Sequence, residues 1–487
     1  MFQKAPSQSL KTDPSSGVAA QLEAAARRHP GKSGFAVLGD NRRAFVDRVA
    51  LADFAQETLD VQYYIWSADT AGLLLADHLI RAADRGVRVR FLLDDVNFKQ
   101  RDSATASIAA HPNIEVRIFN PHRYRSNRTA ELVANFGRLN RRMHNKIMVM
   151  DKACAIVGGR NIADEYFGLS DHSNYRDLDI AAVGPIVRDL SATFDEFWNS
   201  GSAVPIEAFV RDKPDMDDFR RQVATLRSNI RPERCPFPVD HDVAELRSRI
   251  DEIMDEIVWA DGEVLADTYA STQGRDPEGM MNRRLHAEVR AATRHVHIEA
   301  AYFVLRDPAI ETIRQLTSQG VGVRVLTNSL AGNDVVAAQA GHTRRRPQVI
   351  RAGGHIHELR PDAPAVLSSV APQARDSIAA LHTKTLVIDG ETSFVGSFNF
   401  DPRSAEINSE LGLLVHSEAF ARQVSEFLDS GVRPENAYRV TLDEQGHTVW
   451  STEIDGKSHA WTVDPETTFG RRTINRLLTL LPIEDQL

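Results

Sequence analysis

Only two cysteines, Cys154 and Cys235, occur in 487 residues, too few for a disulfide framework and without the spacing of metal ligands. Both are expected as buried or incidental thiols, and neither points to a redox compartment. Long hydrophobic runs are missing as well. No window nears the roughly 18 to 20 apolar residues that a membrane-spanning helix needs, and the opening "MFQKAPSQSLKTDPSSGVAA" lacks the apolar centre of a secretory signal. Any meeting with a membrane is therefore expected from its surface. A basic excess is also lacking: the formal net charge of -9 argues against a surface devoted wholly to nucleic acid, while leaving room for local basic patches.

What is present is an ordinary globular composition, 42% hydrophobic and 26% charged, in a chain long enough for two domains or for two related halves of one. Self-similarity decides for related halves. "HNKIMVMDKACAIVGGRN" (144–161) returns as "HTKTLVIDGETSFVGSFN" (382–399), "RGVRVRFLLDD" (85–95) answers "QGVGVRVLTNS" (319–329), and "DVQYYIW" (60–66) answers "HIEAAYF" (297–303). The offset stays between 234 and 238 residues in all three pairs.

Each half reads as a strand, an apolar-periodic helix (72–84; 308–318) and a second strand opening at a glycine, the alternation of an α/β sheet flanked by helices. The pattern predicts an N-terminal extension over 1–34, a first half over 35–230 and a second over 243–430. The polar, proline-bearing stretch 231–242 reads as the linker. Beyond it, 431–487 reads as a hairpin turning near Gln445-Gly446 and a final amphipathic helix over about 470–481.

Residues two apart on an extended chain share a face, so His144 and Lys146 point together, as do His382 and Lys384. Asp151 and Asp389, five residues after each lysine, fall on the other face or in the following turn, where a carboxylate secures backbone N–H groups. A histidine serves as nucleophile, acid or base near neutrality, and a lysine beside it supplies a fixed charge for an anion. One copy would read as a strand edge facing solvent. Two copies in register, each followed by Gly and by Asn ten residues past the Asp, read as one site made twice.

The doubled HxKxxxxD with its trailing GGxN or GSxN resembles the phospholipase D superfamily. "SNYRDLDI", "VLTNSLAGNDVVAAQAGHTRRR", "FDPRSAEINSELG" and "LLPIEDQL" resemble its bacterial cardiolipin synthase branch, most of all the C-type members. The resemblance covers about residues 35 to 487. It implies two similar α/β halves, each a mixed sheet flanked by helices, packed about a pseudo-twofold axis with one shared active site. It further implies a two-step exchange at a phosphodiester, with His144 attacking phosphorus and His382 acting as acid and then base, and with no metal or other cofactor.

Lys146, Lys384, Asn161 and Asn399 suit the need for donors around phosphoryl oxygens, and Ser397 offers a hydroxyl where the first half has Gly159. A reacting histidine also needs a carboxylate to fix its tautomer. Setting "RDLDI" against "SELGL" makes Asp177 and Glu410 the expected partners, with Asp179 a competitor.

The substrate is less determined, since lipid enzymes and nucleases share these motifs. Six arginines against one acid lie between Pro121 and Met143, and four arginines occur in "GHTRRRPQVIR" (341–351). Such runs suit anionic headgroups or a nucleic-acid backbone. Phe136, Leu139 and Met143 among the first arginines suggest a membrane interface. With the acidic balance, the expectation is a peripheral bacterial membrane enzyme. It would act on phosphatidylglycerol or another phospholipid such as phosphatidylethanolamine, and not on nucleic acid. A hydrolase of the same fold, lipase or nuclease, is the alternative.

Overall fold

The computed structural model describes residues 6–9, 17–98, 101–236, 243–454 and 456–481. The second half of the expected linker, 237–242, lies outside these residues, as do 1–5 and 10–16 of the N-terminal extension and "PIEDQL". The first half contributes nine strands among the described residues: β1 (Ser33–Leu38), β2 (Thr58–Tyr63), β3 (Arg88–Asp94), β4 (Ile114–Phe119), β5 (Ile147–Met150), β6 (Cys154–Gly158), β7 (Ser173–Arg176), β8 (Asp179–Val183) and β9 (Ala203–Pro205). The second adds β10 (Val258–Ala266), β11 (His295–Ala300), β12 (Gly322–Asn328), β13 (His355–Leu359), β14 (Ile378–Leu381), β15 (Lys384–Ile388), β16 (Thr392–Gly396) and β17 (Leu411–His416). It ends with β18 (Ala437–Leu442), β19 (Thr448–Ile454) and β20 (Lys457–Trp461).

Eighteen of these form one continuous sheet whose pairings run β9-β4-β3-β2-β5-β6-β8-β1, cross to β10, and continue β17-β16-β15-β11-β12-β13-β18-β19-β20. From the β1–β10 seam outward the order is the same on both sides, which is the pseudo-twofold relation of the repeat. Only β2-β3-β4 and β11-β12-β13 are parallel, and those strands are joined by crossover helices such as Thr70–Asp84 and Asp307–Ser318. The other neighbours are antiparallel, so each half is a mixed sheet.

The helices Ile186–Asn199 and Glu418–Gly431 bury Phe194, Phe197, Trp198, Phe420, Val424 and Leu428 against apolar residues of both halves, including Val149, Val157, Val387 and Val395. One core therefore crosses the seam. A separate apolar cluster lies behind each sheet.

Beyond the seam, β18 and β19 form the hairpin read near Gly446, and β20 extends it by a strand that the sequence pattern does not suggest.

The two remaining strands matter most for the site. β7 and β14, one from each half, pair in parallel as a separate ribbon, with Arg176 opposite Leu381. An isolated bridge, Met143 to Ser409, makes the matching connection on the other side.

Candidate active site

Each motif enters its sheet the same way. Ile147–Met150 and Lys384–Ile388 are wholly buried strands, so the residues just before or at their starts are held by the core behind them. Asp151 and Asp389 lie at the far ends of these strands, in left-handed turns with φ of 50° and 55°, a conformation that Asp tolerates better than most residues. Their carboxylates reach further than their own turns. Asp151 accepts from the backbone N–H groups of Gln56, Glu57 and Thr58, and Asp389 from those of Thr293, Arg294 and His295. Each therefore fixes the entry into the neighbouring strand, β2 or β11, away from the histidines.

The opposite ends converge on the seam. His144 Nδ1 lies 2.8 Å from Oε2 of Glu410, and His382 Nδ1 lies 2.7 Å from Oδ2 of Asp177. The pairing is crosswise: each histidine is held by the carboxylate of the other half. The backbone is crossed as well, with His144 N–H donating to Ser409 C=O and His382 N–H to Arg176 C=O, at 2.9 and 2.8 Å. With Nδ1 engaged, Nε2 of each ring is left for chemistry.

Lys146 and Lys384 turn back so that their ammonium groups donate to the carbonyls of His144 and His382. Burial brings Lys146 down to about 7 and Lys384 to about 8, although Asp177 and Glu410 pull them upward. Burial likewise pushes the Asp177 and Glu410 carboxyls up to about 7, against the pull of the lysines. Both imidazoles are held well below the usual histidine range, first by burial and then by the charges of the two lysines. Each lysine acts on both rings, which makes the two motifs one electrostatic unit.

Three sequence expectations are corrected. Asp179 does not compete for a histidine: it lies between Arg48 and Arg160, at 2.8 and 3.1 Å, in a fully buried ion cluster. The Ser397 hydroxyl, expected at the substrate, donates to Glu410 Oε2 at 2.5 Å while its oxygen accepts the N–H of Leu411. In the first half the same place must be glycine, since a Cβ on Gly159 would stand 2.1 Å from Asp177 Oδ1.

The third correction concerns the arginine runs. Arg125 and Arg128 pair with Asp95, Arg138 with Glu131, and Arg142 with buried Asp94, while Arg141 donates to Thr272 C=O. In the second run Arg345 and Arg346 pair with Asp307 and Glu358. Leu139 and Met143 are buried, not interfacial.

The asparagines differ. Asn161 accepts from Ile65 N–H and donates to the Tyr166 hydroxyl, whereas the Asn399 side-chain oxygen has no hydrogen-bond partner among the described residues.

Besides Tyr64 and Tyr302, whose places at strand ends already suggest pocket or core, several residues go unnoticed in the sequence. Asp94 accepts the N–H of Met143, and Asn328 accepts the N–H of Leu381, so the residue before each histidine is pinned from the end of β3 or β12. The "FLLDD" and "VLTNS" alignment held that signal. Tyr64 packs edge-on against His144 at 4.9 Å between centroids, and Tyr166 does the same at His382. Tyr175 packs 5.3 Å from His382, and its hydroxyl and that of Tyr302 both donate to Asp334. Asp267 accepts the N–H of Glu410 and donates its own N–H to the carbonyl of Glu410, clamping that residue from both sides.

Comparison with known proteins gives a consistent result. A family model described as cardiolipin synthase, PLD-like domain, matches residues 49–198 and 285–430. The chain is 36% identical to cardiolipin synthase C of Escherichia coli (strain K12), over 94% of this chain and 97% of that one. It is 26% identical to cardiolipin synthase A of Pseudomonas entomophila, over 85% of this chain and 71% of the relative. Among solved structures, phosphatidylserine synthase of Haemophilus influenzae aligns over 96% of this chain and all of its own, with a TM-score of 0.59 and 12% identity, a likeness of fold.

Proposed function

The chain belongs to the phospholipase D-like cardiolipin synthase family, and from that premise we propose that it is a phosphatidyltransferase forming cardiolipin or a related phospholipid through a phosphohistidine. The observation that carries the reading is the crosswise pairing of His144 with Glu410 and His382 with Asp177 around two buried lysines. Two oriented imidazoles facing a shared cationic centre can carry out both halves of an exchange at one phosphorus.

In the first step His144 Nε2 attacks phosphorus, the bond to the leaving alcohol breaks, and His382 Nε2 gives that oxygen its proton. In the second, His382 takes the proton of the incoming alcohol, whose oxygen attacks phosphorus as the N–P bond breaks. Lys146, Lys384 and the Asn399 amide face the phosphoryl oxygens. Burial and the lysine charges keep both rings neutral, which suits the nucleophile. The negative charge of the diester opposes that effect and favours the proton His382 must hold. Glu410 and Asp177 stabilise the cation formed on each ring.

A lipid substrate at a membrane surface is favoured over a polynucleotide because, among the described residues, Arg125, Arg128, Arg138 and Arg142 before His144 are paired with internal acids and do not form a basic track there. The substrates are taken as phosphatidylglycerol and a further phospholipid such as phosphatidylethanolamine. The test is incubation with labelled phosphatidylglycerol, with and without phosphatidylethanolamine, and separately with single-stranded DNA. A diphosphatidyl product is expected; phosphatidic acid alone, or cut DNA, would replace the transferase reading with a hydrolase.

A further inference from the structure

The last helix, Phe469–Leu478, is docked the wrong way round for a globular protein. Amphipathic helices normally turn their apolar stripe to the core. Here Asn475, 2% exposed, faces inward and donates to the hydroxyl of Thr343, and Arg471 donates to the carbonyls of Leu330 and Asn333. The apolar stripe points out: Phe469 is 77% exposed and Leu480 79%, with Ile474, Leu477 and Leu481 exposed beside them. At 100° per residue Phe469, Ile474 and Leu477 fall on one side of the helix, away from Arg471 and Asn475, and Leu480 and Leu481 follow in the turn beyond it. Arg471, Arg472 and Arg476 interrupt the sequence from 469 to 481, and no acid does.

A second apolar patch comes from the first half. Val133 is 78% exposed, with Leu132 and Phe136 exposed on the same short helices, Arg128–Ala134 and Phe136–Leu139, and Tyr124 exposed in the loop before them, all ahead of the first motif. Both patches adjoin the site. The first-half helices lead to Asn140, which is bound by Arg403, and then to His144. The terminal helix is fastened to Asn333, next to the Asp334 that holds Tyr302 and Tyr175 beside His382.

We propose that these two patches together are the surface on which the protein sits in the interface of an anionic phospholipid bilayer, bringing His144 and His382 toward the headgroups. The inference rests on the lipid reading above and names the surface that serves it. Exposed apolar side chains with Arg476 and Arg123 exposed in the same two segments fit an acyl boundary bearing negative headgroups. They fit it better than water, which a monomer meets with patches of this kind only at functional sites. Patches contributed by both halves, each tied to the chain around one of the two histidines, fit a continuous sheet of lipid better than a single partner groove.

The full chain and two double variants, Ile474→Glu with Leu477→Glu and Val133→Glu with Phe136→Glu, are sedimented with extruded vesicles. One set is phosphatidylcholine alone and the other phosphatidylcholine mixed with phosphatidylglycerol. Turnover is followed on the mixed vesicles and on short-chain phosphatidylglycerol dissolved as monomers, and oligomeric state by sedimentation velocity. Wild type is expected to bind the mixed vesicles, and each variant at least about tenfold more weakly, with vesicle turnover falling alike and monomer turnover unchanged. Variants that bind vesicles as wild type does would overturn the proposal. So would variants that split an oligomer while keeping vesicle affinity, for then the stripe belongs to a second copy. Absence of turnover on both lipid forms by wild type would refute the lipid chemistry instead, and the binding arm would still judge the surface.

Discussion

Glu410 holds Nδ1 of His144 at 2.8 Å from a position 266 residues away, in the other half of the molecule. The contact is the mirror of Asp177 with His382, so each half supplies the base for the other and neither contains a complete pair.

Replacing Glu410 by Gln keeps the shape but offers a neutral partner that no longer stabilises imidazolium. Turnover is expected to fall by about 10³ to 10⁴, the scale seen when an orienting carboxylate becomes an amide. Circular dichroism should match that of the wild type, and activity within tenfold of wild type would remove Glu410 from the mechanism.

The activity profile with pH should be a narrow bell. Asp177 and Glu410, raised by burial to about 7, lose the charge that anchors the imidazoles as pH falls, which sets the acid limb. Lys146 and Lys384, lowered to about 7 and about 8, lose the charge that holds a phosphoryl group as pH rises, which sets the alkaline limb. Measured kcat/KM should therefore decline on both sides of neutrality. A flat profile from about pH 5 to 9 would contradict these assignments.

Ser397→Ala and Gly159→Ala are chemically small changes with unequal expected effects. The first removes one hydrogen bond to a carboxylate, a loss of about 1.5–3 kcal/mol, or roughly ten- to a hundredfold in turnover if all of it is felt in the transition state. The second drives a methyl to 2.1 Å from Asp177 Oδ1 and must displace the partner of His382. Steady-state rates should rank Gly159→Ala well below Ser397→Ala; the reverse order would refute the steric account.

Arg160 is fully buried and donates to Asp179, to the Asn41 side chain and to the carbonyls of Leu38, Gly39 and Asp177. Arg160→Met strands part of the Asp179 charge and three carbonyls in the core. A loss of about 3–5 kcal/mol of unfolding free energy is expected, as for other broken buried ion pairs. Denaturant melts showing less than about 1 kcal/mol would mean that Arg48 alone suffices for Asp179.

The doubling of the chain, its α/β halves and the histidine and lysine positions were all legible in the sequence, because they rest on local periodicity and on an internal repeat. The crosswise pairing was not, since parity along a strand says which residues share a face but not which distant chain faces them. The alignment of Asp177 with Glu410 found the right carboxylates and was silent on exchange between halves. The arginine runs misled for a related reason. Their acids, Asp94, Asp95 and Asp102, lie 23 to 48 positions upstream and meet them only when the end of β3 and the segments around it come together with the stretch before β5. Ser397 shows the same limit at one atom: its position was read correctly, while the direction of its proton depended on Glu410.

The ribbon of β7 with β14 has a mechanical corollary. The strand pairing that joins the two halves is also the one that sets Asp177 against His382, and the Met143–Ser409 bridge does the same for Glu410 and His144. Parting the halves like a clamshell would tear both couples apart, so the catalytic pairs exist only while the two halves stay closed on each other.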